Sequence, residues 1–154
     1  MYIESEFLDL IDEHSERTGF ELPLMITYYL AQLLESRLEN SLIIFEPSFA
    51  DCYLTNSVNN SYVIKDFADQ CLFFSSLQLN WKNDTNSNFI TKYWTQVGQQ
   101  SYIKYGNITQ DLRFFQLADW FEPLQRFLAS MVQSDLGEEM TNIYTFQLTT
   151  DSGN

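Results

Sequence analysis

The chain has 154 residues, of which 45% are hydrophobic and 16% aromatic, and its 21 acidic and 8 basic residues give a formal net charge of −13. A chain of this length commonly forms one domain that buries about 70% of its unfolded surface. Because the negative field repels phosphate backbones and anionic membranes, and no apolar run approaches the ~20 residues of a membrane span, we expect no direct nucleic-acid binding and no membrane association.

Apolar residues recur at intervals of three and four in four stretches, which is the spacing of a buried helix face. The first stretch predicts a helix over 3–17 that ends at Gly19 and carries six acids on its outer face. Pro23 suits a first helical turn and predicts a second helix over 23–38. A short helix is expected over 47–54.

The middle of the chain predicts two further long helices. Ser61 is a suitable N-cap for a helix over 62–77. A polar loop rich in Asn and Asp follows over 80–88, and the next helix is expected over 89–105, where Gly106 is predicted to end it.

The last helical segment is expected over 110–134, with Thr109 as its N-cap. Pro123 lacks a backbone donor, so it is predicted to divide this segment into two pieces, 110–121 and 123–134.

Residues 138–154 differ from the rest, because 144–149 alternate apolar and polar side chains as a strand does. A single strand has no evident partner except 42–45, so we prefer an extended C-terminal tail packed on the bundle. Together these features predict an all-α protein, a single-domain irregular bundle of about five to seven helices over 1–137. The first ten residues carry three acids where a secretory signal is basic and apolar, so a cytoplasmic location is expected.

No set of nucleophile, base, metal ligands or phosphate loop accompanies this pattern, and we expect no catalytic residue, metal or cofactor. His14 is the only histidine, and at the end of an acidic helix we interpret it as a solvated side chain. Cys52 and Cys71 are expected to be buried free thiols. Glu-x-x-His motifs of carboxylate metal sites are absent. An enzyme is the least favoured class of function.

Glycine inside a helix costs about 1 kcal/mol relative to alanine, so Gly98 requires a reason. With Ser101 one turn later, it predicts a close helix crossing at which leucine overpacks and alanine is much milder. The alternative is a ligand pocket with Gly98 at its floor and with Asp69, Gln99 and Tyr102 as its binding residues.

Three blocks of sequence carry a resemblance, FADQCLFFSSL over 67–77, YWTQVGQQSY over 93–102 and FQLADWF over 115–121. Their order and spacing resemble a group of uncharacterised bacterial all-helical proteins with the patterns LGDxALFLSGLF, YYxxMGxxAYxxL and FxxLAxxF. The similarity extends over about residues 62–132, and 29–34 resembles an earlier YLxxLL element.

The resemblance implies an all-helical, cytoplasmic bacterial domain and supplies no catalytic residue, because the group has no established activity. Ala68 and Ser76 stand where glycines are usual in the pattern. The resemblance also marks Asp69 as a polar residue on an apolar face. A buried hydrogen bond from Tyr93 or Tyr102 would satisfy its carboxylate.

We expect a non-enzymatic protein-interaction or regulatory module that engages a protein partner, since the charge and the aromatic surplus suit association. One form is an acidic decoy of a nucleic-acid-binding protein, because residues 1–51 hold 11 acids and 2 bases. Acidic solubility is the simpler interpretation of that charge. The alternative function is a small-molecule-binding bundle with a pocket around Asp69 and Gly98. The oligomeric state is left open.

Overall fold

A computed structural model describes residues 3–39, 61–79 and 89–134, and these residues form six helices and no strand. The helices are α1 (Ile3–Thr18), α2 (Leu24–Glu39), α3 (Ser61–Gln78), α4 (Phe89–Thr109), α5 (Leu112–Asp119) and α6 (Phe121–Val132). The predicted all-α class is confirmed, and the six helices of the described residues agree with the five to seven expected. None of these six helices is long and apolar enough to cross a bilayer. The predicted helix over 47–54 and the tail over 138–154 lie outside the described residues.

The described helices belong to two compact units. The first unit holds α1, α2 and residues 130–134, and the second holds α3, α4, α5 and α6 as far as Ala129. The single domain over 1–137 stays a prediction of the sequence.

In the first unit, α1 packs against α2 as a helical hairpin. Phe7, Leu10, Ile11 and His14 are buried, and their spacing of three, four and seven residues places them on one face of α1. Gly19 then adopts a φ of 71°, which glycine accepts without strain, and its N–H bonds to the Ser15 carbonyl at 2.9 Å. The predicted end of the first helix is confirmed.

In the second unit, α3 packs against α4 and α4 packs against α5. Its core is aromatic and aliphatic, and the buried side chains include Phe67, Leu72, Trp94, Tyr102, Phe114, Leu117, Phe121 and Leu124. Edge-to-face ring contacts join Phe67 to Trp94 and Tyr102 to Phe121, a geometry that adds to the stabilisation from buried area.

The prediction that Gly106 ends the fourth long helix is wrong, because α4 continues to Thr109. The helix ends instead at Gln110, which adopts a φ of 58°, while the Asp111 N–H bonds back to the Gly106 carbonyl at 3.2 Å. This is the hydrogen bond of a Schellman motif. Gly106 serves close packing, since a Cβ there would lie 3.3 Å from the Phe114 Cβ.

Asp111, and not Thr109 as predicted, is the N-cap of α5. Its carboxylate accepts a hydrogen bond from the Arg113 backbone N–H at 3.0 Å, and the Arg113 guanidinium contacts the same carboxylate at 2.6 Å. These bonds lower the pKa of Asp111. The Thr109 hydroxyl donates to the Tyr105 carbonyl within α4.

The predicted division of the last helical segment is confirmed, although its bounds differ from those expected. The segment splits at Trp120, so that Pro123 is the third residue of α6. The first turn of a helix has no internal acceptor for its N–H groups, and a proline there costs no hydrogen bond.

Candidate functional site

Asp69, predicted as a ligand-binding residue, has protein partners on both carboxylate oxygens. The fully buried Tyr102 donates its hydroxyl to Asp69 Oδ1 at 2.6 Å, and Lys65 Nζ donates to Oδ2 at 3.0 Å. The predicted buried hydrogen bond from Tyr102 is confirmed. Gln99 Nε2 lies 3.4 Å from the Ala118 carbonyl. A ligand-binding role for Asp69, Gln99 and Tyr102 stays a prediction.

Gly98 lies where α3, α4 and α6 come together within the second unit. A Cβ at this position would be 2.5 Å from Cζ of Phe121 and 2.9 Å from the Cβ of Cys71. The predicted close crossing is therefore confirmed. Ser101 is buried one turn later and donates its hydroxyl to the Val97 carbonyl. The methyl group of an alanine here would already enter the space of the Phe121 ring.

Gln125 of α6 is a polar side chain in the core of this unit, and it was not identified from the sequence. It is 5% exposed, and its Nε2 donates to Ser75 Oγ at 2.7 Å and to Thr95 Oγ1 at 2.9 Å. Both hydroxyls donate in turn, Ser75 to the Leu72 carbonyl and Thr95 to the Thr91 carbonyl. Because each hydroxyl has one proton, both must accept from the amide nitrogen.

This network fixes the orientation of the Gln125 amide. With both N–H groups used on Ser75 and Thr95, the carbonyl oxygen Oε1 is the remaining polar atom. It accepts no hydrogen bond from the described residues and is not fully enclosed. The Gln125 side chain lines a pocket of about 330 Å³ in the second unit.

We call this cavity the polar pocket. It lies against the first two turns of α4 and of α6, and the residues around it include Thr91, Lys92, Thr95, Glu122, Gln125 and Arg126. Lys92, Glu122 and Arg126 are exposed and form no ion pair with a described residue. Their formal charges sum to +1 in a chain that is strongly negative as a whole.

A signal for Gln125 was present in the sequence. It stands four residues after Phe121 and three before Leu128, both buried, and therefore on the apolar face of α6. A polar residue on such a face requires a hydrogen-bond partner. The partners came from α3 and α4, which the sequence of α6 does not reveal.

His14 is buried, and the interpretation of it as a solvated side chain is wrong. Its Nε2 is hydrogen-bonded to Ser130 Oγ at 2.7 Å within the first unit. The pKa of His14 is lowered from its usual value of 6.5, mainly by burial and to a smaller extent by the positive charge of the nearby Arg17. Both disfavour the charged imidazolium. The neutral ring is therefore the form present at pH 7.

We expect the stability of the protein to fall when the pH drops below about 6.5, the pKa of an unfolded histidine. The unfolded chain then takes up a proton that the folded state, with the lowered pKa of His14, does not. The loss ends once the pH is below the folded pKa. Urea unfolding between about pH 7.5 and 5 measures it, and the non-titrating His14→Gln variant is expected to show a smaller change. Equal pH dependence in both proteins would contradict this assignment.

Cys71 is a buried free thiol, as predicted, and Cys52 lies outside the described residues. Burial, together with the negative charge of Asp69, raises the pKa of Cys71. The thiol is therefore kept protonated and unreactive. No cluster of three or more His, Cys, Asp or Glu side chains suited to a metal occurs within 3–39, 61–79 and 89–134.

The sequence matches no protein-family model, and no curated protein or solved structure is significantly similar to it. The resemblance to the helical bacterial group stays a prediction.

Proposed function

We propose that this protein is an interaction module whose α1–α2 hairpin binds a basic, partly apolar segment of a protein partner. The observation that carries the proposal is a group of exposed apolar side chains, which we call the hairpin patch. Phe20 is 39% exposed, Leu24 71% and Tyr28 47%. Leu24 and Tyr28 are four residues apart on α2, so they occupy one outer face of that helix.

An acidic stripe in the same unit supports a basic partner. It consists of Asp9, Asp12, Glu13 and Glu16, whose spacing places them opposite the buried face of α1. Glu13 pairs with Arg17 at 2.7 Å. The other three form no ion pair with a described residue.

The stripe is unfavourable for α1 itself. Like charges three or four residues apart destabilise a helix by about 0.2–0.5 kcal/mol for each pair, and the helix dipole compensates only in the first turn. A cationic ligand would relieve this repulsion, and an apolar part of the same ligand would cover the exposed area of the hairpin patch in the same unit. Charge and apolar exposure thus favour the same class of partner.

The basic surface expected of this partner is typical of nucleic-acid-binding proteins, which contact phosphates through clustered Lys and Arg side chains. The proposed module would occupy such a surface in place of a phosphate backbone, as an acidic decoy. Its own charge of −9 over residues 1–51 opposes direct binding to nucleic acid.

The proposal is tested with a synthetic amphipathic helical peptide of leucine and lysine, and with the same peptide carrying glutamine in place of lysine. We expect the lysine peptide to bind and the glutamine peptide to bind much more weakly. Leu24→Ser should weaken binding by about tenfold, because it removes a central apolar contact. Leu112→Ser is the matched control. Leu112 is 75% exposed, close to the 71% of Leu24, but it lies in the other unit.

Isothermal titration calorimetry measures these affinities, and amide chemical-shift changes locate the bound peptide. Equal binding of the two peptides would show that charge does not matter. Equal effects of Leu24→Ser and Leu112→Ser would show that the hairpin patch is not the contact surface. Either result contradicts the proposal.

A further inference from the structure

The geometry of the polar pocket points to a binding site for a small zwitterion that carries a carboxylate and an ammonium group, the chemistry of a free α-amino acid. Its volume of about 330 Å³ lies at the lower end of the range for small-molecule pockets, about 300–1,000 Å³. The inference does not depend on the proposed interaction through the hairpin, because all the described residues that line the pocket belong to the second unit.

The anionic group of the ligand is recognised by Lys92 and Arg126. Both line the pocket, and neither is ion-paired with a described residue although acids outnumber bases in the chain. Lys92 is the fourth residue of α4, where the partial positive charge of the helix N-terminus also favours an anion. A guanidinium can bind a carboxylate through two hydrogen bonds.

The ammonium group is recognised by Gln125 and Glu122. Gln125 Oε1 is held in place because its amide N–H groups are bonded to Ser75 and Thr95. Gln125 is 5% exposed and lines the pocket, and its Oε1 accepts no hydrogen bond from a described residue, so this acceptor calls for a donor from a ligand or water. Glu122 also lines the pocket and supplies a negative charge one helical turn before Arg126 on α6.

Other classes of ligand fit less well. A simple anion would satisfy Lys92 and Arg126 but would be repelled by the Glu122 carboxylate and the Gln125 carbonyl. A simple amine would suit Glu122 and Gln125 but would be repelled by the positive charges of Lys92 and Arg126. An apolar ligand would cover the three charges and leave them without partners, which costs free energy. A molecule with both groups offers an anion to Lys92 and Arg126 and a cation to Glu122 and Gln125.

The experiment is a titration of the ¹⁵N-labelled full-length protein with each of the common α-amino acids up to about 10 mM. We expect at least one to shift the amide signals of the first turns of α4 and α6, with a Kd of about 1 mM or tighter. Propionate and ethylamine, which carry one group each, serve as half-ligand probes. Both should bind more weakly than the amino acid.

Three variants at the surface of the pocket test the roles of the charges. Lys92→Gln and Arg126→Gln are expected to weaken amino-acid binding by about tenfold each. Glu122→Gln should weaken the amino acid while improving the binding of propionate. Lys104→Gln is the matched control, because Lys104 lies on α4 outside the lining of the pocket. It should leave all affinities unchanged.

The inference is overturned if no amino acid shifts these signals, or if Lys92→Gln and Arg126→Gln bind as the wild type does. Binding of propionate as tight as that of the amino acid would also overturn it, because the site would then recognise an anion alone. Circular dichroism of each variant establishes that it is folded before its affinity is interpreted.

Discussion

Gly98→Ala is expected to destabilise the protein by about 1–3 kcal/mol, even though alanine is the better helix former by about 1 kcal/mol. The added Cβ would lie 2.5 Å from Cζ of Phe121 and 2.9 Å from the Cβ of Cys71. The Phe121 ring is fully buried, so it has little room to move. Gly98→Leu adds three more carbon atoms at the same place and is expected to be at least as destabilising.

Urea unfolding followed by circular dichroism measures this loss, with Gln100→Ala as the control. Gln100 is exposed on the same helix, so alanine there tests helix propensity without the contact. We expect Gln100→Ala to be within about 0.5 kcal/mol of the wild type. If Gly98→Ala proved equally neutral, the close crossing would be wrong.

Asp69→Ala is expected to cost about 1–3 kcal/mol, because it removes the acceptor of the fully buried Tyr102 hydroxyl. Tyr102→Phe removes the donor of the same bond. Since the two residues share one interaction, the double variant should lose less than the sum of the single variants, with a coupling of about 0.5–3 kcal/mol.

This double-mutant cycle also separates two roles of Asp69. A residue whose purpose is to bind a ligand is commonly neutral or unfavourable for stability, so its removal leaves the free energy of unfolding unchanged or improved. Additive losses, or no loss with Asp69→Ala, would contradict the structural role. Lys65→Gln is a useful comparison, because the 3.0 Å ion pair of Lys65 with Asp69 is partly exposed and is expected to contribute less.

The periodicity of apolar residues was sufficient to predict the helices, because burial of one face is a local property of the sequence. Phe7, Leu10 and Ile11 are buried together as their spacing requires. His14 continues the same spacing, but its polar ring and acidic neighbours led to the wrong expectation that it is solvated. Its partner Ser130 is 116 residues away, and no local pattern indicates such a contact.

Helix ends were less predictable, since a glycine has more than one use. Gly19 adopts the left-handed conformation and ends α1, whereas Gly106 remains helical and makes room for α5. Gln110 takes the left-handed position after α4 instead, which costs a residue with a Cβ about 1 kcal/mol or more. Sequence alone did not distinguish these cases, because the deciding contacts lie with α5.

The candidate sites show the same limit. Asp69 and Tyr102 were identified from the sequence, and the hydrogen bond between them was predicted. Lys92, Gln125 and Arg126 were not combined, because they come from α4 and α6 and meet only at the polar pocket. Polar residues from distant segments form a site through tertiary packing, which a one-dimensional pattern does not contain.

The salt dependence of binding tests the proposed function most directly. The affinity for the leucine–lysine peptide is measured from about 0.05 to 0.5 M salt, a range in which the Debye length falls through ~8 Å at about 0.15 M. We expect binding to weaken steeply, and Asp12→Asn to reduce that dependence while Asp119→Asn, at an exposed acid of the other unit, leaves it unchanged. Salt-insensitive binding, or equal dependence in the two variants, would contradict an acidic stripe that recognises a basic partner.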